Sequence, residues 1–174
     1  MKTILTVAAV VLVGFGLMWW GRTNQAPLPA QASGGPSTGA ATTGGQKSEL
    51  AAPEILYDFG TISMKNGLVY KEFSVTNPTE KDITVSSMFT SCMCTTAYLL
   101  TAEGSVKGPF RMPGMGYIPP ANETLKPGES RTVRVVYDPN AHGPAGVGQI
   151  DRFVTLTDEA GGVLQLDIKA LVTP

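Results

Sequence analysis

Histidine and cysteine are nearly absent from this chain: its 174 residues include one histidine, His142, and two cysteines, Cys92 and Cys94. A cysteine nucleophile needs a base to form its thiolate, and His142 is the only imidazole on offer, so a Cys–His hydrolase is disfavoured. There is no glycine loop ahead of a helix to cradle phosphate, no Glu/His zinc-hydrolase motif, and no carboxylate pair that the pattern places together. The chain is therefore expected not to be an enzyme. Charge of one sign is also lacking. Lys and Arg number 13 against 14 Asp and Glu, with no basic stripe, which argues against a nucleic-acid partner. Aromatic residues make up only 7%. After residue 53 no segment of helical length carries a 3.6-residue apolar stripe, which excludes a helical bundle.

What is present falls into three parts. Residues 4–20 are an uncharged apolar run of 17, preceded by Lys2 and ending in Trp19 and Trp20. As a helix it would span roughly 25 Å, just short of a bilayer's hydrocarbon core, and paired tryptophans belong at a membrane interface. The best small-x-small cleavage site, Ala30-Gln31-Ala32, lies too far beyond the run for a removable signal. Residues 1–22 therefore read as an uncleaved membrane anchor, with a cleaved signal and a secreted product as the alternative. Residues 23–52 are rich in Gly, Ala, Ser, Thr, Pro and Gln and read as a disordered linker. It would reach on the order of 30 Å. Residues 53–174 are expected to form the folded domain, single-pass anchored on the extracytoplasmic side.

Within that domain, period-two alternation dominates. Strands are expected over residues 54–60, 67–76 and 83–89. They are also expected over 131–137, with Val133, Val135 and Tyr137 on one face and Arg134 on the other. A final hairpin pairs 152–157 with 163–172, where Leu164, Leu166, Ile168, Ala170 and Val172 keep strict alternation. In the first and third of these segments Tyr57, Phe59, Val85 and Phe89 are expected to face the core. Asn77-Pro78 and Lys126-Pro127-Gly128 are turn signals, and Asp138-Pro139 reads as another. About seven short strands with frequent turns predict an all-β, immunoglobulin-like antiparallel β-sandwich. Residues 98–121 break the rhythm and read as a long loop of Gly, Pro and scattered Met, a length that in compact domains is usually functional or disordered.

Five short motifs occur in order: Tyr57-Asp58-Phe59-Gly60-Thr61-Ile62, Phe73-Ser74-Val75-Thr76-Asn77-Pro78, Ser91-Cys92-Met93-Cys94-Thr95, Leu125-Lys126-Pro127-Gly128-Glu129 and Val135-Val136-Tyr137-Asp138-Pro139. Together they resemble domain-of-unknown-function family 1573, a bacterial group of secreted or anchored Ig-like sandwiches related to ASH and HYDIN-type modules. The likeness covers residues 53–172. Family members usually carry glycine between the cysteines, where this chain has Met93, and the Met-bearing stretch departs from the minimal pattern. The resemblance implies fold and location, and no activity.

The chemistry-bearing residues cluster around the cysteines. If Cys92 and Cys94 share a strand, their side chains project from one face with Cα atoms about 6.5–7 Å apart, at the upper limit for a disulfide. Parallel thiolates would suit a soft metal. Met112 and Met115 offer thioethers and His142 an imidazole, a donor set favouring copper(I), or zinc if the methionines stay out. Plainer readings stand beside this one. The cysteines can be buried small residues or an oxidised pair, with thiol–disulfide exchange as their chemistry. Met112 and Met115 can be packing or loop residues, and His142 an ordinary surface residue. The function expected is a membrane-tethered binding or assembly module with a protein partner that the sequence does not name. Copper(I) delivery and redox partnership are the alternatives.

Overall fold

The computed structural model describes residues 46–174. The membrane-anchor expectation and the linker up to residue 45 lie outside the described residues, among which no helix is long and apolar enough to cross a membrane. The strands are β1 (Leu56–Ser63), β2 (Val69–Thr76), β3 (Ile83–Thr90), β4 (Thr95–Leu100), β5 (Val106–Phe110), β6 (Glu123–Leu125), β7 (Ser130–Tyr137), β8 (Gly148–Asp158) and β9 (Val163–Thr173). They form a five-stranded sheet in the order β1-β9-β8-β3-β6 and a four-stranded sheet in the order β2-β7-β4-β5. Two short 3-10 turns, Met64–Asn66 and Gly143–Gly146, are the helical elements among the described residues.

Alternation builds the core. Along β9 Leu164, Leu166, Ile168, Ala170 and Val172 all point inward, and along β7 Val133, Val135 and Tyr137 do the same. With those of β7, Phe73 and Val75 of β2, Leu99 of β4 and Phe110 of β5 form the inner face of the four-stranded sheet. In β3 the phase slips. A register shift between Val85 and Ser87 against β8 turns Met88 inward and leaves Phe89 half-buried, so Met88 takes the core position expected for Phe89. One extra residue in a strand reverses every side chain beyond it. Tyr57 and Phe59 are half-buried and pack edge to face at 4.9 Å against the rim of the core.

Three expectations about the frame are corrected. The sandwich is not purely antiparallel: β1 pairs with β9 in parallel, from Leu56 opposite Asp167 to Ser63 opposite Thr173. The chain approaches beside the first residue of β9, with Lys47 bridged to Val163, and so advances in the same direction as that strand. Second, residues 46–52 belong to the fold and not to the linker. Ser48 and Leu50 are buried, Ser48 Oγ donates to Asp158 Oδ2 at 2.6 Å, and Ala51 exchanges backbone hydrogen bonds with Thr76 at 2.9 and 2.8 Å. Third, 98–121 is not one loop. Its beginning completes β4 and its middle is β5, an edge strand where Pro109 costs no ladder partner on the open side. A short turn over 101–105 joins the two strands, and 111–122 is the long irregular connection.

The register gathers connections at one pole of the sandwich. Tyr137 at the end of β7 lies opposite both Val69 and Thr95, and Gly148 at the start of β8 lies opposite Val172. The links from β1 to β2, from β3 to β4 and from β7 to β8 therefore all cross between sheets at this pole. At the opposite pole Lys47 meets Val163. There Asn77, fully buried, donates through Nδ2 to the carbonyls of Lys81 and Leu125 at 2.6 and 2.8 Å and ties the turns together.

Candidate functional site

The two cysteines occupy the 91–94 turn that carries the chain from β3 in one sheet to β4 in the other. The condition that they share a strand is therefore not met, and the alternative of an oxidised pair is the one found. The turn draws their Cα atoms to 5.2 Å, inside the range a disulfide accepts, and Cys92 and Cys94 are joined by one. The turn is held from every side. Thr95 N donates to Cys92 O at 3.1 Å, Cys94 N to Cys92 Sγ at 3.3 Å, and Asp138 N to Cys94 O at 2.9 Å. Ser91 exchanges two bonds with Phe153, at 3.0 Å through its backbone N–H and at 2.9 Å through its hydroxyl. The Thr90 hydroxyl lies 3.1 Å from Cys92 O and 3.0 Å from Thr95 O. Cys92 and Cys94 are 9% and 2% exposed.

His142 comes from the 138–147 connection, which crosses between the sheets at the same pole. Asp138 Oδ1 accepts from Asn140 N at 2.8 Å, the Asp-Pro turn expected from the sequence, and Asn140 Nδ2 donates to Met64 O at 2.9 Å. His142 then caps the short 3-10 turn, and Gly143 at φ +55 reverses the chain directly after it. A Cβ at Gly146 would stand 3.3 Å from both His142 Cβ and Pro139 O, so glycine lets the loop close beneath the imidazole. The result places His142 Nε2 3.2 Å from Cys92 Sγ.

The ligand atoms of Cys92, Cys94 and His142 all lie within 4.8 Å of one another. As a disulfide the sulfurs cannot both coordinate. Reduced, they offer two thiolates and an imidazole on a pinned turn, a set that fits copper(I) by softness and zinc by number, with water completing the latter. Arg152 of β8 adds a feature absent from the sequence reading: its Nε lies 3.4 Å from Cys94 Sγ. A guanidinium there favours a thiolate. Burial pushes the phenol of Tyr137, which pairs with Thr95 just after the turn, above its ordinary range; Arg152 works against that shift and Asp138 with it.

The methionines divide. Met115 lines a recess of about 370 Å³ together with Cys94, Leu68, Val136 and Met93, the residue between the cysteines. Met112 does not line it; its carbonyl accepts from Met115 N at 3.2 Å and closes the turn that presents Met115. Sequence reasoning passed over Met93, noting it only where the resembled family has glycine. Its position between two cysteines at a tip was the available signal.

No protein-family model matches the sequence. No curated protein matches it either. Among solved structures, a protein of unknown function from Porphyromonas gingivalis W83 aligns with 16% identity and a TM-score of 0.51, over 75% of this chain and 50% of that one. The chain thus spans half the length of that protein and shares its fold. The ASH/PapD-like domain of human CEP192 aligns with 13% identity and a TM-score of 0.44, over 85% of this chain and 98% of that domain. The Vibrio cholerae protease VesB aligns with 16% identity and a TM-score of 0.45, over 70% and 31%.

Proposed function

We propose that this chain is a non-enzymatic binding module held outside the cytoplasmic membrane by its N-terminal apolar run. Its working end is the cysteine pole, where reduced Cys92 and Cys94 with His142 take up copper(I). One observation carries the metal reading: three soft or borderline donor atoms within 4.8 Å, contributed by the only two cysteines and the only histidine in the chain. Two separate crossovers, the 91–94 turn and the 138–147 connection, deliver them to one spot. The location rests on the apolar run and on the motifs that resemble family 1573. A partner dithiol, itself oxidised to a disulfide, first reduces the Cys92–Cys94 bond to two thiols by exchange, and coordination then displaces the thiol protons. Copper(I) is cargo in this reading, passed to or from a protein partner.

The test is titration of the reduced full-length protein with copper(I) against a chromophoric chelator. One equivalent is expected to bind. His142→Ala should weaken it by roughly tenfold or more, in line with loss of one ligand from a three-donor site. Full stoichiometry in a Cys92→Ser/Cys94→Ser variant sinks the reading.

A second reading is favoured by a specific observation. The cysteines are joined, and His142 and Arg152 each stand beside one sulfur. Such a pair suits thiol–disulfide exchange with a partner protein, in which a partner thiolate attacks one sulfur and expels the other as thiolate. Single Cys92→Ser and Cys94→Ser variants should then trap a mixed disulfide in cells. Recovery of both as free thiols with no adduct removes this alternative.

A further inference from the structure

We propose that Met93 and Met115 form a separate thioether site for a soft monovalent cation, through which copper(I) reaches Cys94. The inference rests on the copper(I) reading above and adds the route of arrival. Methionine ordinarily packs inside, as Met88 does here at 1% exposure, yet Met93 and Met115 are 48% and 43% exposed. Both line the same recess. One stands at the tip of the cysteine turn and the other on the 111–122 connection, 22 residues away in sequence, so chain proximity does not account for their sharing one recess. Leu68 and Val136 supply apolar wall, and Thr96, Tyr98, Arg111 and Asp138 complete the lining. Thioethers prefer soft d10 cations to hydrated hard ones.

The recess also separates the roles of the two cysteines. Cys94 lines it; Cys92 and His142 do not. Cys94 thus borders the recess, while Cys92 stands beside the imidazole at 3.2 Å, and the turn links the two. A cation held weakly by Met93 and Met115 can exchange onto Cys94 as its thiol gives up a proton, and then onto Cys92 and His142. No change of oxidation state is involved. Thioethers also ignore the redox state of the cysteines, so the recess binds its cation while the disulfide is intact.

That independence supplies the experiment. Full-length protein with an intact disulfide and 13C-methyl methionine is titrated with silver(I), a redox-inert stand-in. The ε-methyl signals of Met93 and Met115 should shift together and saturate at one equivalent, with those of Met64, Met88 and Met112 unmoved. Met93→Leu/Met115→Leu, close in volume and partly exposed, should keep the fold and abolish saturation. In reduced protein the same variant should leave copper(I) affinity within about threefold but slow loading roughly tenfold. Absence of the paired shift, or loading at an unchanged rate in the variant, overturns the proposal. Copper(I) bound by the cysteines without a silver(I) response removes the recess and leaves the parent reading standing. A silver(I) response with no copper(I) at reduced cysteines overturns the relay and the parent reading together, leaving a thioether site that feeds nothing.

Discussion

Arg152 is the residue on which the chemistry of the turn depends most directly. Its guanidinium, 3.4 Å from Cys94 Sγ, is anchored at the other end by donation from Nη1 to Asp151 O at 2.8 Å. A fixed positive charge beside a sulfur stabilises thiolate over thiol. In the reduced protein, Arg152→Gln should raise the pH at which the turn's thiols react and slow their alkylation near neutrality by roughly three- to tenfold. An unchanged pH profile of alkylation would show that the guanidinium does not act on the thiol. The cysteines and the histidine were legible in the sequence because they are so few. Arg152 was not, since it stands on β8, 58 residues from Cys94, and only the pairing of β3 with β8 brings the turn beside it. Asn77 shows the same limit. The Asn-Pro turn was plain, but the bonds from its amide to Lys81 and Leu125 depend on β6 lying beside β3.

At the level of elements, the leading segment matters more than its composition suggests. Residues 46–52 look like the linker before them, small and polar with one large apolar residue, Leu50. Yet Leu50 is buried, Ser48 is bonded to Asp158, and Asp158 Oδ1 in turn accepts from Gly162 N at 2.7 Å. This short piece bridges the sheets, touching Val163 in one and Thr76 in the other. A fragment beginning at residue 53 should be less stable than one beginning at residue 46 by about 2–4 kcal/mol, the scale of losing one buried leucine with its attendant hydrogen bonds. Equal urea midpoints for the two fragments would refute this. Strands with clean alternation, β7 and β9, could be read directly from the sequence. The strand β5 could not, because Gly108-Pro109 reads as a breaker, and only its place at a sheet edge makes it acceptable. The slip in β3 was equally hidden, since a bulge leaves no mark in composition.

At the scale of the whole molecule, the buried charges among the described residues, Glu123, Arg131 and Asp158, lie at the pole away from the cysteines. Arg131 and Glu123, both buried, pair at 2.6 Å; Lys107 joins Glu123 at 2.8 Å and Glu129 joins Arg131 at 2.9 Å. Burial alone would raise the Glu123 carboxyl, but hydrogen bonds from Arg131 and Lys107 hold it below the usual range. Glu129 is also held low, by the Lys126 backbone N–H and by Arg131. A carboxyl with a folded-state pKa below its unfolded value contributes stability above the unfolded value and loses that contribution as pH falls through the folded one. Asp167, raised by burial, acts in the opposite sense and recovers some stability in acid. Glu123 and the part-exposed Glu129, both lowered and both bonded to Arg131, act in the first sense. The melting temperature should therefore fall as pH drops below about 4.5, and the fall should be shallower in Glu123→Gln, which has no proton to gain. Identical slopes in the two proteins would remove the network as the cause.

The parallel pairing of β1 with β9 has a mechanical consequence. The start of β1 lies toward one pole and the end of β9 at the other, with Ser63 opposite Thr173 and the Ser63 hydroxyl donating to Pro174 O at 3.0 Å. A pull along the line joining those two strand ends would load the rungs between them in shear, all at once, where an antiparallel hairpin would peel one rung at a time.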